Sequence, residues 1–273
     1  MHFKSSFRPT NEYAKHYMYY LGLLGICLVI GLLLNQRTIV RLKRRNQLLL
    51  EEKRQSEELL ANILPPEVIR QLKNKVISDA KKYPTVCVFF SDFKSFSQIA
   101  ETISPDELVA ELDYCFTHFD RIIDKFRLQK IKTIGDAYMC VSGLYTRGEN
   151  HIHRMIHAAL EIQQFMEQRK ASRLAEGNFF FEARLGIHTG PVVAGIIGEK
   201  RYAFDVWGDT VNVAQQMENK GEVGNVNISG QTYEYIKGQF KCTHRGQLVA
   251  KNKKTYEMYS VDKVASTKTY LRI

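Results

Sequence analysis

The 273-residue chain lacks any CxxC pair and any paired Cys/His spacing. Its cysteines, Cys27, Cys87, Cys115, Cys140 and Cys242, are scattered, which argues against a structural zinc site and against a disulfide framework. They read as reduced, small apolar fillers of a cytosolic domain. A low-complexity tract is also missing, and an apolar content of 44% is that of a folded protein. Acidic residues are in the minority, with Asp+Glu 29 against Lys+Arg 39 and a net charge of +10. Such an excess would suit a nucleic-acid partner, but the candidate strands carry no aromatic-basic platform for one. Much of the excess lies instead in Arg37, Arg41, Lys43, Arg44, Arg45, Lys53 and Arg54, directly after a stretch with no charge at all.

That stretch is "YMYYLGLLGICLVIGLLL", Tyr17 to Leu34, close to the ~17–25 residues that a helix needs to cross a bilayer. Tyrosines at one end fit an interfacial belt, and the basic cluster at the other end should stay cytoplasmic. A signal peptide would be shorter, would carry its charges on the other side and would end in a small-residue cleavage site. The expectation is one spanning helix with the N-terminus outside. Beyond it the chain is polar and helix-prone, with Leu42, Leu49, Ser56 and Ile63 at every seventh position and Leu59 between the last two. This weak heptad, with Arg45 and Glu52 at companion positions, fits a solvated juxtamembrane helix as well as a dimeric coiled coil. "LPPEV" then breaks the helix at Pro65 and Pro66, and a shorter one restarts through Leu72.

A length of 273 residues suggests one sizeable domain plus something extra, because single cores stop growing near about 250 residues. The globular part opens with "PTVCVFFSDFKSF", where Val86 to Phe90 read as a buried strand ending in Ser91-Asp92. "SPDELVAELDYCFTHFDRIIDKF" begins with a Ser104/Glu107 capping box and continues at helical spacing. "KIKTIGDAYM" reads as a hairpin, and a second helix runs near His151 to Arg169. "FFFEARLGIHTG" and "PVVAGIIG" read as two strands. "DVWGDTVNVAQQM" turns into a helix, and a last helix-strand unit closes the domain. The order β-α-β-β-α-β predicts an α+β, ferredoxin-like sheet with its helices on one side.

"FFSDFKSFS", "KIKTIGDAYM", "RLGIHTGPVVAGIIG" and "FDVWGDTVNVA", in this order and spacing, resemble the class III nucleotidyl cyclases, and "LANILPPEVIRQLK" resembles the linker that precedes their catalytic domain. The resemblance covers about Leu59 to Val261. It implies five regions: a short extracytoplasmic N-terminus at 1–16, a transmembrane helix at 17–35, a juxtamembrane helix and linker at 36–80, a cyclase catalytic domain at 81–262 and a tail at 263–273. Nothing resembles the Gly-Gly-Asp/Glu-Glu-Phe signature of a diguanylate cyclase.

Cyclisation of a nucleoside triphosphate requires its 3′-hydroxyl to attack the α-phosphorus while pyrophosphate leaves. The resemblance implies two Mg²⁺ (or Mn²⁺) ions held by Asp92, Asp136 and the carbonyl of Phe93, since hard cations take oxygen ligands. It makes Lys132 and Asp205 the readers of the base. A donor there meets adenine N1 and an acceptor takes the N6 hydrogens, whereas guanine presents the reverse, so the pair implies ATP. Asn212 matches the ribose-orienting asparagine. Arg184 and Lys251 match cations that hold the triphosphate, with Lys253 as a substitute for Lys251. His188 reads as a core or turn histidine. Family members take the metal aspartates from one protomer and the base-reading pair from the other, which implies a homodimer with composite sites.

One position departs from the pattern. Four residues after Asn212 the family places an arginine that stabilises charge on the α-phosphate; here it is Gln216. Loss of one such donor costs about 10²–10³ in rate. A smaller departure is Ser95, where relatives usually carry glycine. The chain therefore reads as a membrane-anchored adenylyl cyclase, slowed by Gln216 or served by another cation such as Lys200 or Arg201. The alternative is an ATP-binding signalling module of the same fold that has lost its chemistry.

Overall fold

The computed structural model describes residues 10–61, 64–65, 68–70, 80–145, 148, 150–199, 202–250 and 253–262. The chain divides into two units, residues 1–63 and 64–273. In the first, helix α1 (Thr10–Ala61) runs for 52 residues and contains a segment long and apolar enough to cross a membrane. The apolar run and the polar stretch after it, expected as separate elements, are thus one uninterrupted helix. No proline interrupts 10–61, and from Gln36 onward the chain is dominated by Leu, Arg, Lys, Gln and Glu, all strong helix formers. Ile63 of the heptad, residues 71–72 of the expected short helix and the tail at 263–273 lie outside the described residues.

The second unit is built on an eight-stranded sheet. Its strands are β1 (Lys81–Phe93), β2 (Gln129–Ile134), β3 (Ala137–Ser142), β4 (Ala183–Ile197), β5 (Ala203–Trp207), β6 (Val226–Ser229), β7 (Cys242–Val249) and β8 (Thr255–Val261). They lie in the order β2-β3-β1-β4-β6-β8-β7, with β5 pairing β4 off this path. Among the described residues only the β4–β6 pair is parallel. The helices are α2 (Phe96–Ala100), α3 (Pro105–Lys125), α4 (Asn150–Ala175), α5 (Asp209–Asn219) and α6 (Gly230–Ile236).

Alternation along β1 separates two environments. Cys87, Phe89 and Phe93 enter the main core with Cys115, Phe119 and Ile123 of α3, Ile152, Met155 and Ile156 of α4, and Ile236 of α6. Val86, Val88 and Phe90 belong to a second cluster with Met139, Val141, Val192 and Ala214 of α5. Ser104 and Glu107 form the expected capping box at the start of α3.

Two details differ from the expectation. Helix α5 lies on the opposite face from α3, α4 and α6, rather than all helices sharing one side. Glycines on β4 make room for it: a Cβ on Gly186 would stand 1.9 Å from Glu218 N, and one on Gly190 2.6 Å from Thr210 Oγ1. The two strands expected around Pro191 are a single 15-residue strand, and 179–182 precede it without strand structure. Pro191 is tolerated because the β1–β4 register shifts between Tyr83 and Val86. Pro84 and Pro191, neither with an N–H to give, both fall in that irregularity.

Gly186→Ala is expected to destabilise the domain by about 1–3 kcal/mol or more, as overpacking of a tight site does. A lowered urea midpoint of the full chain would show it, and an unchanged midpoint would refute the close seating of α5.

Candidate active site

Asp92 is the next residue after Val86, Val88 and Phe90 on the α5 face of β1, and it pairs directly opposite Arg184 on β4. The guanidinium Nη2 donates to Asp92 Oδ1 at 2.9 Å. On its other side, Arg184 Nε stands 3.1 Å from Oε1 of Glu218, whose side chain is only 4% exposed. Burial, then the charge on Asp92, pushes the Glu218 carboxyl up to about 7, while Arg184 opposes them. Glu218 is a residue that the sequence reading missed. Its signal was present, because it occupies the buried stripe of α5 with Thr210, Val213, Ala214 and Met217, where an unpaired carboxylate has no ordinary place.

Asp136 joins this group from the two-residue turn between β2 and β3, which Gly135 opens at φ +63°. Burial first, and then the charge on Asp92, holds its carboxyl above the usual range. The backbone amides of Asp136 and Phe93, and Arg184, pull the other way. The Phe93 ring is locked against Phe181 (4.6 Å) and Phe116 (5.8 Å), which fixes the strand end and leaves only its backbone for the site. Among the described residues no three His, Cys, Asp or Glu side chains assemble as a metal cluster. Two aspartates and a carbonyl still suit a hard divalent cation that takes its remaining ligands from a polyphosphate. The mutual repulsion of Asp92, Asp136 and Glu218, opposed by one guanidinium, is the charge imbalance that such a cation would relieve.

A second group forms on the same chain. Lys132 Nζ lies 2.5 Å from Asp205 Oδ2, linking β2 to β5, and Asp205 Oδ1 accepts from the N–H of Val206 at 2.9 Å. Asp205 is mostly buried and Lys132 half-exposed. Lys132 and Asp136, four apart in sequence, thus serve different groups on either side of one turn.

Asn212 and Gln216 are successive turns of α5, Asn212 exposed and Gln216 half-buried. The Gln216 amide donates to the Asn212 carbonyl at 3.0 Å, so it is engaged with its own helix. Ser95 has φ +57°, the left-handed region that favours glycine, which explains why glycine would be usual there. Lys251, Lys200 and Arg201 lie outside the described residues, and Lys253 is exposed with φ +64°. His188 is a buried core histidine, bonded through Nδ1 to Ser229 Oγ at 2.7 Å and pushed down to about 4 by burial.

The raised Glu218 carboxyl contributes stability while it holds its proton. That contribution is complete below its ordinary value of 4.5 and lost as pH rises through about 7. Glu218→Gln imitates the protonated form. In EDTA, its urea midpoint relative to the unmodified protein is expected to rise between about pH 5 and pH 8; a constant difference would exclude this assignment.

Residues 78–263 match the family described as the adenylate and guanylate cyclase catalytic domain. The chain is 39% identical over 201 residues to an adenylate cyclase of Mycobacterium bovis, covering 72% of this chain and 44% of that protein. It therefore spans less than half the length of that relative. Two solved structures are similar with TM-scores of 0.62, each match covering 67% of this chain and 98% of the other. One is the guanylate cyclase domain of RhGC from Catenaria anguillulae in complex with GTP, at 33% identity. The other is the catalytic core of a rhodopsin-guanylyl cyclase with converted specificity in complex with ATPαS, at 34%. Similarity at this level extends to cyclases of both bases, so the choice between ATP and GTP rests on individual side chains. By the extent of the match and the degree of identity, the chain belongs to the adenylate and guanylate cyclase catalytic domain family, the class III nucleotidyl cyclases.

Proposed function

We propose that the chain is an adenylyl cyclase that converts ATP to 3′,5′-cyclic AMP and pyrophosphate at the composite sites of a homodimer. The observation that carries the choice of base is the Lys132–Asp205 pair. Lys132 has further N–H groups to donate to adenine N1, and Asp205 has lone pairs left for the N6 amino group. Guanine would set donor against donor and acceptor against acceptor, and such buried mismatches discriminate strongly.

Each chain carries one Asp92/Asp136 group and one Lys132/Asp205 group, so a two-fold dimer would complete two sites, each drawing one group from either chain. Asp92, Asp136 and the Phe93 carbonyl would hold two Mg²⁺ or Mn²⁺ ions, which when bound lower the pKa of the 3′-hydroxyl and neutralise the leaving phosphates. Lys132 and Asp205 hold the adenine, and Asn212, on the exposed side of α5, orients the ribose. Arg184 and Lys251 supply positive charge to the triphosphate. Gln216 stands where a donor to the α-phosphate oxygen is needed, and its amide, with one N–H on the Asn212 carbonyl, brings a second N–H but no charge. Helix α1 would cross the membrane once, with the N-terminus outside and its basic residues and the cyclase domain in the cytoplasm.

A second reading, an ATP-binding module with little or no turnover, is favoured by one observation: Gln216 is uncharged and bonded within its own helix. Assay of cyclic-nucleotide production from ATP and GTP, in Mg²⁺ and in Mn²⁺, separates the two. Cyclic AMP is expected from ATP, and Asp92→Ala is expected to abolish it. Lys132→Glu combined with Asp205→Cys is expected to shift preference toward GTP. Gln216→Arg is expected to raise turnover by about 10²–10³, the worth of one transition-state donor. ATP binding without turnover in both the unmodified and the Gln216→Arg proteins would establish the module; a preference for GTP in the unmodified protein would refute the reading of the base.

A further inference from the structure

Arg184 and Glu218 make an incomplete contact. Nε and Oε1 stand 3.1 Å apart, yet their angle gives no hydrogen bond, and both buried atoms lack a hydrogen-bond partner. The carboxylate is buried, its side chain 4% exposed, and the α5 backbone that carries it is seated against Gly186. An ionisable group is rarely buried beside an unfinished partner without a use for it. The other end of the same guanidinium is bonded to Asp92, the carboxylate assigned above to a divalent cation. Arg184 and that cation would therefore compete for one oxygen.

We propose that Arg184 is the cation that occupies Asp92 in the metal-free protein, and that Glu218 is the positioning residue that receives it when a divalent ion takes Asp92. The proposal rests on the metal reading of Asp92. In the metal-free site Asp92, Asp136 and Glu218 share one guanidinium. On loading, Asp92 exchanges its guanidinium hydrogen bond for the metal, and Arg184 completes its contact with Glu218. Its Nη groups become available to phosphate oxygens. Without Glu218, the displaced guanidinium would be left half-buried with no counter-charge, so it would hold Asp92 more tightly and exclude the ion. Binding of the metal and presentation of Arg184 to the triphosphate become one event.

The test is Mn²⁺ binding to the full-length protein without nucleotide, followed through the electron paramagnetic resonance of free Mn²⁺. Arg184→Gln removes the competitor and is expected to tighten binding. Glu218→Gln, isosteric and suited to the buried site, is expected to weaken it about fivefold or more, and by at least about fivefold less in the Arg184→Gln background. Equal effects of Glu218→Gln in both backgrounds would mean that Glu218 contributes only a distant field, and would overturn the exchange. Weaker or unchanged binding in Arg184→Gln would overturn it as well, even if Glu218→Gln fails to fold. Asp92→Asn separates the two levels of inference: if it leaves Mn²⁺ binding untouched, the metal reading itself falls and the exchange with it.

Discussion

The antiparallel pairing of β1 with β4 is the constraint on which the rest of the domain depends. Its register sets Asp92 opposite Arg184, and its alternation sends Phe89 and Phe93 into the main core while the charged pair faces α5. A shift of one residue would bury Asp92 among the aromatic rings and turn Phe93 out. The stacked rings of Phe93, Phe181 and Phe116 oppose that slip, because they fill a space that a carboxylate could not occupy unpaired. Helix α5 depends on the same pairing. It approaches closely only because β4 presents Gly186 and Gly190 on that face, and in doing so it delivers Glu218 to Arg184.

The two groups of candidate site side chains differ in how their charges are balanced. Lys132 and Asp205 form a pair with one mostly buried partner and one half-exposed partner, and each charge meets its opposite. The Asp92, Asp136 and Glu218 group is crowded with like charge, and burial raises both Asp136 and Glu218 above their ordinary values. The first group is close to complete as it stands, and the second is electrostatically unfinished. This asymmetry is what a site would need if its base reader formed with the fold and its catalytic half waited for a cation.

The departures from the family pattern have separate local explanations. Ser95 adopts the left-handed conformation that glycine would take at little cost, so the turn after β1 carries strain there. Gln216 retains donors but lacks the charge, and it places one N–H on the carbonyl one turn earlier in α5. The first departure puts a side chain on a left-handed backbone position. The second bears on the proposed chemistry directly.

Much of this was legible in the residues themselves. The apolar run of α1, the Ser104/Glu107 cap, the hairpin at Gly135 and the strand ending at Asp92 each rest on local rules of spacing and turn chemistry, and the structure has an element at each. Joining the span to the polar helix beyond it was also a local matter, decided by the absence of a breaker. Three features were beyond local rules. Pro191 lies within one long strand because Pro84 faces it across the ladder, and only the pairing brings those two residues together. Helix α5 crossed to the other face because two glycines on a distant strand left room for it. Glu218 became part of the site because that close seating forced a carboxylate against Arg184, 34 residues away in sequence. Sequence determined which side chains are available and which short segments are helices, strands and turns, since those follow from neighbours along the chain. Tertiary structure alone decided which charges share a space, because burial and Coulomb repulsion depend on distances that the order of residues does not contain.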